Sequence, residues 1–82
     1  MTSTIEISYY PLRDDYPDYV LLFLEKLRSI EGIEIHTNGM STILIGEFDQ
    51  MWVSLGAFMM NEFDSVASLF VMKVAPGRRE YA

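Results

Sequence analysis

Apolar and polar residues alternate with a period of two at the start of the chain. Ile5, Ile7 and Tyr9 stand on one side, and Thr4, Glu6, Ser8 and Tyr10 on the other. β-Branched and aromatic residues in that rhythm predict a strand over 4–10. Pro11, which has no amide hydrogen to give a ladder, ends it. The period then changes. Val20, Phe23, Leu24, Leu27 and Ile30 recur at three- and four-residue spacing, which predicts a helix over 17–30 with these side chains towards a core. Leu21 and Leu22 widen the stripe, while Glu25, Lys26 and Arg28 take the solvent side. Pro17 suits the first turn, Asp14, Asp15 and Asp18 complement the positive end of the dipole, and Gly32 stops the helix.

Alternation returns over 33–37, with Ile33 and Ile35 against Glu34 and His36. Asn38-Gly39 tolerates positive φ at both positions and predicts a tight hairpin. The returning strand covers 41–48, with Ile43 and Ile45 opposite Thr42, Leu44 and Gly46. Asp49 is the expected N-cap of a second helix over 50–61. Its buried stripe is expected to be Trp52, Leu55, Met59 and Phe63, with Val53, Gly56 and Met60 beside it. Asp64-Ser65 reads as a turn and 66–74 as the last strand. Ala75-Pro76-Gly77 breaks that strand, and 77–82 is an expected mobile tail.

Strand, helix, strand, strand, helix, strand within one domain of 82 residues is the order of a ferredoxin-like α+β sandwich. Right-handed crossovers give a four-stranded antiparallel sheet of order 4-1-3-2 with both helices on one face. The loop after the first strand and the tip of the central hairpin then lie at one end of neighbouring strands. Two polar clusters distant in sequence are thereby expected to meet: Tyr10-Pro11-Leu12-Arg13-Asp14-Asp15-Tyr16 and Asn38-Gly39-Met40-Ser41-Thr42. The start of the last strand, with Ser65, Ala67 and Ser68, belongs to the same end.

The last strand is apolar on both faces, with Leu69 and Val71 on one and Phe70, Met72 and Val74 on the other. Antiparallel sheets open on one side usually alternate apolar with polar. The second face is therefore expected to be covered by another copy, in a dimer or tetramer. A net charge of −6 argues against nucleic acid and anionic membrane as partners. No apolar run approaches the about 20 residues of a membrane helix, and no basic-then-apolar leader opens the chain. The expected location is the cytoplasm.

Catalytic chemistry finds little support. Without cysteine there is no disulfide, thiolate ligand or Cys nucleophile. His36 is the only histidine, and the scattered carboxylates give no metal-ligand spacing. Ser41 and Ser65 have no neighbouring base, and Gly39 and Gly46 make no phosphate-cradling pattern. Asp14-Asp15 reads first as a helix start and second as an acid pair. The chain is thus expected to be non-catalytic, with no metal and no cofactor.

The two clusters carry a resemblance. Tyr9-Tyr10-Pro11-Leu12-Arg13-Asp14-Asp15-Tyr16 resembles the Tyr-Pro-hydrophobic-x-Asp-Asp segment of the thiamine-binding, YkoF-like family. Met40-Ser41-Thr42, followed by Gly46, resembles that family's Ser-Thr…Gly strand, and 46–52 resembles its lead into the second helix. At the hairpin tip the chain departs from the Gly-Pro-Met-Gly-Thr-like pattern of the broader family. The resemblance implies a ferredoxin-like fold, sheet-mediated oligomers, and binding of thiamine or its hydroxymethylpyrimidine part without catalysis, as carrier or sensor. Asn38, Ser41 and Thr42 offer donors and acceptors to a pyrimidine edge. Tyr9 or Tyr10 offers an aromatic face, Asp14 or Asp15 a negative charge, and Met40 completes the candidate set of ligand-binding residues. Two other readings remain open: a regulatory or interaction module without such a ligand, and a small ferredoxin-like enzyme using His36 or a tyrosine.

Overall fold

A computed structural model of the chain describes residues 1–79; residues 80–82, the end of the expected tail, lie outside the described residues. The elements are β1 (Thr2–Pro11), α1 (Tyr16–Arg28), β2 (Glu34–Thr37), β3 (Thr42–Glu47), α2 (Phe48–Ser65) and β4 (Ser68–Pro76). They form one antiparallel sheet of order β2-β3-β1-β4, which is 4-1-3-2 read from the other edge. The expected ferredoxin-like α+β sandwich is the observed fold.

Register follows the period-two pattern of β1. Ile5 stands between Leu44 and Val74, Ile7 between Thr42 and Met72, and Tyr9 beside Phe70. A slip of one residue turns this apolar set to the other face, so the pattern fixes the pairing. Both helices pack on that face: Phe23 and Leu27 of α1, and Met51 and Leu55 of α2, join Ile5, Ile7, Tyr9 and Leu44 in one buried cluster.

Three local expectations are corrected. The first concerns α2, which begins at Phe48, directly after β3, and runs on through Ser65. Asp49 is not its N-cap: Glu47 holds that position, and the Asp49 carboxylate accepts from the Gln50 amide at 3.0 Å. The buried stripe of α2 is accordingly Met51, Leu55 and Glu62, while Trp52 and Phe63 are about half exposed. Met51 sets this phase. It packs where a Cβ at Gly46 would stand, 3.5 Å from that point, so the strand just before the helix dictates its rotation.

The second correction is the turn at Asp64-Ser65. Ser65 closes the helix instead, its hydroxyl donating to the carbonyls of Asn61 and Glu62. The third is the hairpin. Neither Asn38 nor Gly39 adopts positive φ. Thr37 pairs with Thr42, and the four residues between them form the loop. The Asn38 amide oxygen holds this loop by accepting from the Met40 and Ser41 amides at 2.7 and 3.0 Å, a side-chain turn that removes the need for left-handed backbone.

Residues 77–79, placed in the tail by the sequence, are tied across the outer face of the sheet. Gly77, at φ 75°, turns the chain back. The Thr4 hydroxyl donates to the Gly77 carbonyl at 2.7 Å and accepts from the Arg79 amide at 3.0 Å. Arg78 reaches both carboxylate oxygens of Glu34 on the far strand. Glu34, Ile45 and Thr4 share one row of the sheet. The segment therefore straps that row, and Ile45 is only 2% exposed although it points away from the helices. Leu69 and Val71, further along β4, stay half exposed.

This core makes Leu44→Ala cost about 2–5 kcal/mol in chemical denaturation. Ile43→Ala, one residue away on the outer face, is expected to cost clearly less.

Candidate functional site

β1 is paired on both edges, but not equally far. Its ladder with β3 stops at Ile7 and Thr42, whereas its ladder with β4 continues to Pro11 and Ser68. Beyond Ile7 the end of β1 and the β2–β3 hairpin separate, and the first turns of α1 lie over the gap. The result is a cavity of about 770 Å³. Its rim and walls include Tyr10, Pro11, Leu12 and Tyr16 from the first polar cluster and all of residues 38–42 from the second. Ile7, Tyr9, Val20, Phe23 and Leu24 supply its apolar depth. The two clusters thus share one cavity.

The candidate residues divide according to strand phase. Thr42 is 5% exposed and faces the helices, beside Thr37 on the neighbouring strand. Their hydroxyls lie 2.8 Å apart and form a polar spot on an otherwise apolar wall. Ser41 lines the cavity and donates from its hydroxyl to Glu6 at 3.3 Å. Asn38 spends its amide oxygen on the loop, which leaves its NH2 group for a guest. Met40 is a rim residue, 86% exposed.

The tyrosines take different places. Tyr9 forms the inner wall: its ring stacks on Phe70 with centroids 4.7 Å apart and tilts against Phe23 at 4.8 Å. Its hydroxyl donates to the buried Glu62 carboxylate at 2.8 Å, and Lys26 binds the other oxygen of that carboxylate at 2.7 Å. Burial, followed by the hydrogen bond to Glu62 and its negative charge, pushes the Tyr9 phenol well above its ordinary value near 10. Tyr10 points the other way, lies beside Leu69 and is half exposed at the rim.

Asp14 and Asp15 are not among the residues that line the cavity. Asp15 occupies the N-cap position of α1, its carbonyl accepts from the Asp18 amide, and Arg13 binds its carboxylate at 2.9 Å. Helix initiation and pairing with Arg13 account for it. His36 lies outside the cavity, on the outer face of β2, 2.7 Å from the Glu34 carboxylate. Among the described residues no group of three or more His, Cys, Asp or Glu side chains could hold a metal ion, and no helix is long and apolar enough to cross a membrane.

Sequence reasoning passed over three relevant residues. Thr37 occupies the same phase as Ile35, so a polar residue at a core-facing position was its signal. Tyr16 belonged to the first cluster but was not singled out. Glu62 is buried only because α2 has the phase that Met51 sets.

No family model matches the chain, and no curated protein matches it in sequence. Solved structures do resemble it. A hypothetical protein of Methanocaldococcus jannascii superposes with a TM-score of 0.78 at 19% identity, over 98% of this chain and 84% of that one. A Thermotoga maritima protein, provisionally described as acting in thiamine biosynthesis or salvage, gives 0.79 at 16% identity, over 90% and 82%. The Bacillus cereus domain of unknown function DUF77 gives 0.71 at 21% identity, over 92% and 75%. Likeness at these identities shows the shared fold.

The raised phenol sets an alkaline limit. Tyr9 contributes stability in full below its unfolded value of about 10, and that contribution falls as pH rises towards the higher folded value. Tyr9→Phe is expected to cost about 1–3 kcal/mol at neutral pH, because it leaves a Glu62 oxygen without its donor. The difference from the parent should narrow in urea titrations above about pH 10.

Proposed function

We propose that this protein is a non-catalytic binder of a small aromatic heterocycle, thiamine or its hydroxymethylpyrimidine part, and acts as a carrier or sensor. The observation that carries the reading is the single cavity shared by the two clusters that resemble the YkoF-like family. Its volume falls in the about 300–1,000 Å³ range of small-ligand sites, which are mostly apolar with a few convergent polar groups. The Thr37–Thr42 hydroxyls, Ser41 and the Asn38 NH2 group supply those polar groups along one side. An aminopyrimidine edge presents matching donors and acceptors. Tyr10 and Tyr16 at the rim offer aromatic faces to a cationic ring, an attraction of about 0.5–2 kcal/mol. The description of the Thermotoga maritima neighbour supports the same ligand class.

Isothermal titration with thiamine and with hydroxymethylpyrimidine tests this reading. Saturable binding tighter than about 1 mM is expected for at least one of them. Ser41→Ala combined with Thr42→Val should weaken it about tenfold or more while the circular dichroism spectrum is kept. Unchanged affinity in that variant places the site elsewhere, and no binding of either compound removes the ligand assignment.

A further inference from the structure

Among the described residues that line the cavity, none is Asp, Glu, Lys, Arg or His. Several basic side chains are held by carboxylates. Arg13 is bound by Asp15 and lies over the Tyr19 ring, 5.2 Å from its centre. Lys26 is held by Glu62 at 2.7 Å. Lys73 and Arg78 belong to the outer face, beside Glu6 and Glu34. The N-terminus of α1 also attracts anions, and it is partly occupied. Pro17 has no N–H, the Asp18 amide donates to the Asp15 carbonyl, and Asp18 places a carboxylate in the first turn. Carboxylates are what flank the cavity: Glu6 holds the Ser41 hydroxyl, and Asp14 and Asp15 stand in the adjoining loop.

We infer that this pocket selects the free alcohol form of its heterocycle and rejects the phosphate ester. The inference rests on the binding reading above and adds a rule of selection to it. A phosphate monoester brings a charge of about −1.5 to −2 and strong acceptor oxygens. In this half-open cavity it gives up part of its water, meets no cation among the described lining residues, and approaches carboxylates within a chain of net charge −6. A neutral hydroxymethyl or hydroxyethyl group meets none of these penalties, and the cationic thiazolium gains from the same field.

The test is isothermal titration of the full chain in phosphate-free buffer. The probes are thiamine and hydroxymethylpyrimidine, each beside its monophosphate. The expected result is at least tenfold weaker binding of the monophosphate in each pair that binds. In Met40→Lys and Leu12→Lys, which place a cation at exposed rim positions, the ester should gain several-fold in affinity. An ester that binds as tightly as its alcohol overturns the inference and leaves the binding reading standing. A rim lysine that fails to raise ester affinity also overturns it, since charge is then not what selects. Absence of binding by every alcohol and every ester removes the binding reading, and the inference with it.

Discussion

The central position of β1, and the unequal lengths of its two ladders, is the constraint on which the rest of the structure depends. A strand hydrogen-bonded on both edges fixes the sheet, because its alternating side chains must meet those of two neighbours at once. β4 follows β1 to Pro11, whereas β3 leaves it at Ile7. The same inequality that completes the core at one end opens it at the other. The cavity is therefore a consequence of ladder length, roofed by the helix that must return over the sheet from the end of β1.

The buried carboxylate inside the molecule is placed with its partners. Glu62 sits 4% exposed between the helices and is matched by Lys26 and the Tyr9 hydroxyl. Removing one member of such a set leaves a buried charge or acceptor unpaired, which costs more than the set gains as a whole. The network also orients the Tyr9 ring, and that ring is the inner wall of the cavity. Rigidity in the helix layer is thus passed to the binding surface through one side chain. On the opposite face the Thr4 hydroxyl plays a comparable part by joining the chain's last described residues to the central strand.

Much of this was legible in one dimension. Period-two and period-3.6 patterns identified every element, and strand direction brought the clusters of 10–16 and 38–42 to one end. The misreadings share a cause: each turned on a contact between distant residues. The stripe of α2 was read from apolarity alone, yet Met51 against the bare backbone of Gly46 rotates the helix so that Glu62 goes in and Trp52 comes out. Asn38-Gly39 has the composition of a left-handed turn, but the Asn38 side chain satisfies the loop amides first. Asp14 and Asp15 matched a motif by type, while the pull of Arg13 and the helix start set Asp15 apart from the cavity.

The sequence by itself determined the order of elements, the faces of the strands and the shared location of the polar clusters, because these follow from local periodicity and chain direction. Only the tertiary structure decided that the clusters line one volume, that Tyr9 is wall and Tyr10 rim, that Thr37 pairs with Thr42, and that Arg13 beside the cavity is held by Asp15. Those outcomes depend on where two ladders end and on which side chain reaches which partner. Such distances arise between residues far apart in the chain, and no local pattern encodes them.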